Sequence, residues 1–201
     1  MNDERTAAPI LDSAAHHVAP AMVDDMPSTR TVTLRKAVEY AGINVTSLDL
    51  REPRAGEMLR WAHLSGVEAS IMAVAVVSGH PVTAIGEIGA RDLLDAAAYI
   101  NAFGLVSIDQ PDDVPAALDL ALRLPIEHGD TTIHTLSLRE PAANQLIEWD
   151  KADGIAADLK IIAAVSAVPE VALHKLGARD LVAAGSYLAN FLEPGRPAGV
   201  R

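Results

Sequence analysis

The charged side chains that could do chemistry come in pairs. Arg35 and Arg123, Glu39 and Glu127, Arg51 and Arg139, Glu52 and Glu140, Arg91 and Arg179, and Asp92 and Asp180 each stand 88 residues apart. Two carboxylates such as Glu52 and Asp92 could serve as acid and base in a hydrolase if they flanked a substrate bond. Their sequence contexts favour a structural use. Glu52 precedes a helix and Asp92 falls in the first turn of another, where carboxylates accept backbone N–H groups. Arg51 and Arg91 are each expected to pair with the other element's carboxylate. The histidines are not paired in this way. His63, His80, His128, His134 and His174 fall opposite Lys151, Val168, Tyr40, Thr46 and Gly86. A group central to the chemistry of a repeated module is expected in both copies. There is no cysteine, so a thiolate nucleophile or metal ligand is absent. His16 and His17 are adjacent and make a weak metal site at best. Neither GxxxxGK[ST] nor GxGxxG occurs. The expectation is a protein without catalytic residues, metal or cofactor.

The offset reaches well beyond the charged residues. LDLREP at Leu48 to Pro53 matches LSLREP at Leu136 to Pro141, and GARDL at 89–93 matches GARDL at 177–181. Trp61 falls on Trp149, Gly66 on Gly154, Ser78 on Ser166, Pro81 on Pro169, Tyr99 on Tyr187 and Phe103 on Phe191. Segments 32–103 and 120–191 align without a gap, and about a third of the pairs are identical. The sequence reads as an internal duplication.

Two modules of about 70 residues suit a chain of 201, and each alone buries a modest core. Half the residues are hydrophobic but only 3% are aromatic, which suits helices packed closely through small side chains. A formal charge of −11 disfavours a nucleic-acid partner. The longest apolar run, Ile71 to Val77, is too short to span a bilayer, and Met1 to Arg5 does not open a signal peptide. A soluble intracellular protein is expected.

The elements that would position the paired residues follow from periodicity. Val32, Leu34, Val38 and Tyr40 alternate along one strand face. Ala41-Gly42 turns the chain. Ile43 and Val45 alternate in one phase and Leu48 and Leu50 in the other, which signals a β-bulge. In the second copy Leu120, Leu122, Leu124 and Ile126 form the first arm. Read alone, Pro115 to Leu124 looks like a helix start, but the duplication makes at least its second half a strand. Pro53 and Pro141 are expected to start a helix, and Gly66 and Gly154 to end it. A nearly all-apolar helix follows from about Val67 to Ser78, and again from about Ile155 to Ser166. Short turns start at Pro81 and Pro169. The final helices open at Ala90 and Ala178. The expected fold class is α+β: two similar modules, each a bulged β-hairpin followed by three to four α-helices. The expected divisions are a tail at 1–30 with a short helix around Ala7 to Ala15, modules at 31–103 and 120–192, an acidic linker at 104–119 and a tail at 193–201.

A helix without a polar face is buried on several sides or offers a groove to a partner helix. Trp61 and Trp149 are core anchors or interface anchors. The candidate partner-binding residues are Trp61, Ile71, Val74, Trp149, Leu159 and Ile162.

The ordered motifs resemble those of the small tail assembly chaperones of contractile-tailed, Mu-like and P2-like phages. Leu50, Arg51, Glu52 and Pro53 carry one motif and Arg91 and Asp92 the other. Leu138, Arg139, Glu140, Pro141, Arg179 and Asp180 carry them in the second copy. The resemblance implies a non-enzymatic factor in the bacterial cytoplasm that binds the tape measure protein and helps recruit tail tube subunits. It also implies absence from the mature virion. A typical member has one module, whereas this chain has two. The competing expectations are a structural tail or baseplate accessory protein and, less favoured, a small enzyme using the Arg/Glu/Asp set.

Overall fold

The computed structural model describes residues 26–105 and 114–192. The expected helix around Ala7 to Ala15, His16-His17 and the C-terminal tail lie outside them. The fold is α+β, with two antiparallel hairpins each followed by helices. In the first module β1 (Thr29–Tyr40) and β2 (Ile43–Arg51) form the hairpin. α1 (Ala55–Met58), α2 (Gly66–Ser78), α3 (Val82–Gly86) and α4 (Ala90–Ala102) follow. The second module repeats this with β3 (Ala117–His128), β4 (Thr131–Arg139), α5 (Ala143–Trp149), α6 (Gly154–Ser166), α7 (Glu170–Leu173) and α8 (Ala178–Ala189).

The bulge is present in both hairpins and is larger than one residue. Thr33 pairs with Ser47 and Val38 with Val45, so four residues of β1 lie opposite Thr46 alone. Ala121 pairs with Thr135 and Ile126 with Ile133, which repeats the pattern. β3 is strand throughout, so the helix-like reading of Pro115 to Leu124 gives way to the pairing that β4 offers. Thr29 and Arg30 belong to β1, and Ala117 to Asp119 belong to β3. The strands therefore begin inside the expected tail and linker.

Two expected helix boundaries are corrected. Pro53 and Pro141 sit ahead of the N-caps Arg54 and Ala142 rather than at the first helical position. Gly66 and Gly154 open α2 and α6 instead of ending the helix before. Their φ values of +57° and +55° turn the chain into the new helix, a conformation that suits glycine. α1 itself stops at Met58.

Each hairpin is pinned to its last helix by matching bonds. Arg35 N donates to Asp92 Oδ2 at 3.0 Å, and Arg123 N donates to Asp180 Oδ2 at 2.9 Å. The arginine side chains pair with the same carboxylates. Burial pushes the Asp180 carboxyl above its usual range, against the lowering effect of these Arg123 bonds. Tyr99 and Tyr187 hydroxyls each donate at 2.8 Å, to the Pro27 and Pro115 carbonyls. Each tyrosine meets its phenylalanine, Phe103 or Phe191, edge to face. The apolar faces of β1, β2, α2 and α4 make one core and their counterparts make a second. Ala178 belongs to the first core and Ala55 to the second, so the modules are joined.

Candidate protein-interaction site

The joint between the modules is built from the two motifs, one from each copy. Glu52 leaves β2 and ends against the first turn of α8. Its Oε1 accepts the Arg179 backbone N–H at 2.9 Å, and its Oε2 accepts Arg179 Nη2 at 2.7 Å and Nε at 3.0 Å. Both side chains are buried, at 2% and 7% exposure. The Arg179 guanidinium also lies over the Phe103 ring, 5.2 Å from its centroid. A buried pair whose two carboxylate oxygens are both hydrogen-bonded in this way can offset the desolvation of both charges.

Backbone bonds continue the contact. Ala178 N donates to Pro53 O at 3.0 Å, Ala55 N to Leu176 O at 2.8 Å and Gly56 N to His174 O at 2.9 Å. Two of these donors are first-turn N–H groups of α1, which have no partner inside a helix. A Cβ on Gly56 would stand 2.8 Å from His174 Cβ, so only glycine permits this approach. Met58 and Leu59 then pack on the second core.

The expected pairing of charges is corrected here. Arg51 bonds Glu57 rather than Asp92. Burial pushes the Glu57 carboxyl up, but bonds from the Arg51 side chain and the Arg54 backbone outweigh it, and the net shift is downward. Arg91 is exposed and does not reach Glu52, whose partner is the other module's arginine. The position of Glu52 gives the reason: it follows the end of β2 and meets the first turn of α8.

The joint is used once. Glu140 and Arg91, the counterparts of Glu52 and Arg179, are both exposed. Ala55 and Ala178 have no exposed surface, whereas their counterparts Ala143 and Ala90 are exposed. Identical motifs therefore have different surroundings, and the second pair is left on the surface.

The other candidate residues divide by burial. Val74, Leu159 and Ile162 are at 0% exposure and are core residues that no partner can touch in this fold. Trp61 and Ile71 are half-buried against the first core, and Trp149 against the second. Leu50, Pro53, Leu138 and Pro141 are buried. Arg139 is exposed at the end of β4. On α2, Val67 is 64% exposed and shares a helix face with Ile71 by their four-residue spacing. Their counterparts Ile155 and Leu159 are half-buried and fully buried. α1 touches both its own α2 and α6 of the second module, and Val67 at the start of α2 stays exposed. That open face and the surface copy of the joint are the candidate interaction surfaces. The motif residues are the same in both copies, so the motifs alone do not tell which pair is joined and which is left on the surface.

Among the described residues no group of histidine and acidic side chains could hold a metal ion. His63, His128 and His134 are exposed, and His174 serves the joint through its backbone carbonyl. No helix among the described residues is long and apolar enough to cross a membrane.

Residues 120–193 match the family model described as phage tail assembly chaperone proteins, E, or 41 or 14. No curated protein and no solved structure matches the chain. The matched span runs from β3 through α8, which is the second of the two similar modules. Over residues 120–193 the chain is thus similar to the phage tail assembly chaperone family.

Proposed function

We propose that the chain binds the tape measure protein of a phage tail, keeps that long helical protein soluble and helps recruit tail tube subunits. The reading of the first module as a second copy of the matched one is supported by the paired hydrogen bonds at Asp92 and Asp180 and at Tyr99 and Tyr187. The observation that carries the reading is the family match at 120–193, taken with the open apolar face of α2 at Val67 and Ile71. An amphipathic helix laid on that face would bury Val67, whose counterpart Ile155 is already half-buried. The surrounding negative charge keeps an apolar surface from collapsing onto another chaperone. The factor acts in the bacterial cytoplasm and leaves before the tail is complete. Of the motif carboxylates, Glu52, Asp92 and Asp180 are engaged with arginines and backbone, which does not favour the enzyme reading.

The test is co-expression with the tape measure protein of the same particle. The chain should move that protein into the soluble fraction, and Val67→Asp should reduce the effect without unfolding the chain. A tape measure protein equally soluble with and without the chain would count against the reading.

A further inference from the structure

We infer that the partner helix bound by the first module carries an acidic side chain, and that this carboxylate enters a cavity at the C-terminal end of α2 lined by Arg60 and His80. The site rests on the proposed role and gives the contact its chemistry. The cavity holds about 250 Å³. Gly79 ends α2 with φ +74° and turns the chain, so that His80, Pro81 and Val82 line the cavity together with Ala75 and Val76. Arg60, in the turn after α1, lines it as well. The apolar part ranges from Ala75, 3% exposed, to Val82, 40% exposed.

The cavity continues the face proposed for the partner. Val67, Ile71 and Ala75 follow one another along α2 at four-residue spacing, so a helix lying over Val67 and Ile71 reaches it. From Val67 to Ala75 the rise is about 12 Å, little more than two turns of a partner helix.

Charge decides what that helix presents to the cavity. Other arginines of the first module are already engaged: Arg35 pairs with Asp92, Arg51 with Glu57, and Arg54 donates to the Lys175 carbonyl. Arg60 is exposed and His80 half-buried, and among the described residues neither side chain has a hydrogen bond or an ion pair. A guanidinium beside apolar side chains is complementary to a carboxylate flanked by apolar residues. The equivalent place in the second module carries the opposite charge. Glu148, Val168 and Glu170 stand where Arg60, His80 and Val82 do. An acidic segment that suits the first module is repelled there, so the two similar modules do not compete for it.

The test titrates the full chain with overlapping peptides of about 20 residues that cover the tape measure protein of the same particle, each long enough to run the length of α2. A peptide that binds should contain an aspartate or glutamate whose change to lysine weakens binding at least about tenfold. Arg60→Glu should weaken the unchanged peptide by a similar factor, with wild-type circular dichroism. Arg60→Glu with the lysine peptide should recover most of the affinity, a rescue that a merely structural role for Arg60 does not give. Lys160→Glu makes the same change of net charge at an exposed position of α6 and should leave binding within about twofold. Unchanged binding in Arg60→Glu, an equal loss in Lys160→Glu, or no rescue would overturn the inference and leave the proposed role intact. So would a tape measure protein that the chain holds in solution while none of its peptides binds, because a single helix is then not the ligand. If the chain neither binds a peptide nor keeps the whole protein in solution, the proposed role falls and the inference with it.

Discussion

Glu52 and Arg179 lie 127 residues apart in the chain and form one buried, three-point contact, while Glu140 and Arg91, the same residue types at the same motif positions, lie exposed. The difference follows from a heterologous joint between two similar modules.

Glu52→Gln should therefore behave unlike Glu140→Gln. Removing the Glu52 charge leaves Arg179 buried without its counter-ion, which typically costs about 3–5 kcal/mol. Glu140→Gln changes a surface group and should stay within about 0.5 kcal/mol in the single chain. Urea unfolding of the two variants at low protein concentration checks this. Equal midpoints would mean that the joint contributes nothing to stability.

Gly56→Ala tests the close approach at the same joint. Its Cβ would lie 2.8 Å from His174 Cβ and 3.1 Å from the His174 carbonyl oxygen. The overlap forces α1 away from α7, at a cost of about 1–3 kcal/mol. Gly86→Ala, where the space is open, should be neutral or slightly stabilising in the single chain. Thermal unfolding of the pair distinguishes the positions.

Asp158 gives a pH-dependent prediction. Burial in α6 pushes its carboxyl above the ordinary range, against a lowering hydrogen bond from Trp149. The native state thus holds this proton to higher pH than the unfolded chain does. Its contribution to stability is present at low pH and is lost as pH rises through the raised value. At pH 7 the ionised group is a cost, and Asp158→Asn removes that cost while an amide oxygen still accepts from Trp149. The variant should have the higher urea midpoint at pH 7, and the gap should narrow as pH falls toward about 4, the ordinary carboxylate value. A gap that widens on acidification would contradict this cause.

Much of the fold was legible because each module repeats the same signals. The phase change between Val45 and Leu48 recurs between Ile133 and Leu136, and both mark a bulge. Pairing Leu120 to Ile126 with Val32 to Val38 made a strand of a stretch whose local composition suggested a helix. The glycines at 66 and 154 were harder, because a left-handed glycine is equally a helix stop and a helix start in sequence. The burial of Val74, Leu159 and Ile162 agreed with the core reading of the apolar helices and removed these three residues from the candidate surface. The joint was not legible. Sequence identity between copies says that a glutamate of one motif meets an arginine of the other, but not which copy supplies each. That choice depends on how the modules dock, and docking breaks the symmetry that the sequence keeps.

The most direct measurement of the proposed role is recovery of the tagged chain from cells producing the particle, with mass spectrometry of what accompanies it. The account predicts one long helical tail protein in the immature fraction and no bait in finished particles. Bait present at fixed stoichiometry in finished particles, or recovered with no tail protein, would contradict it.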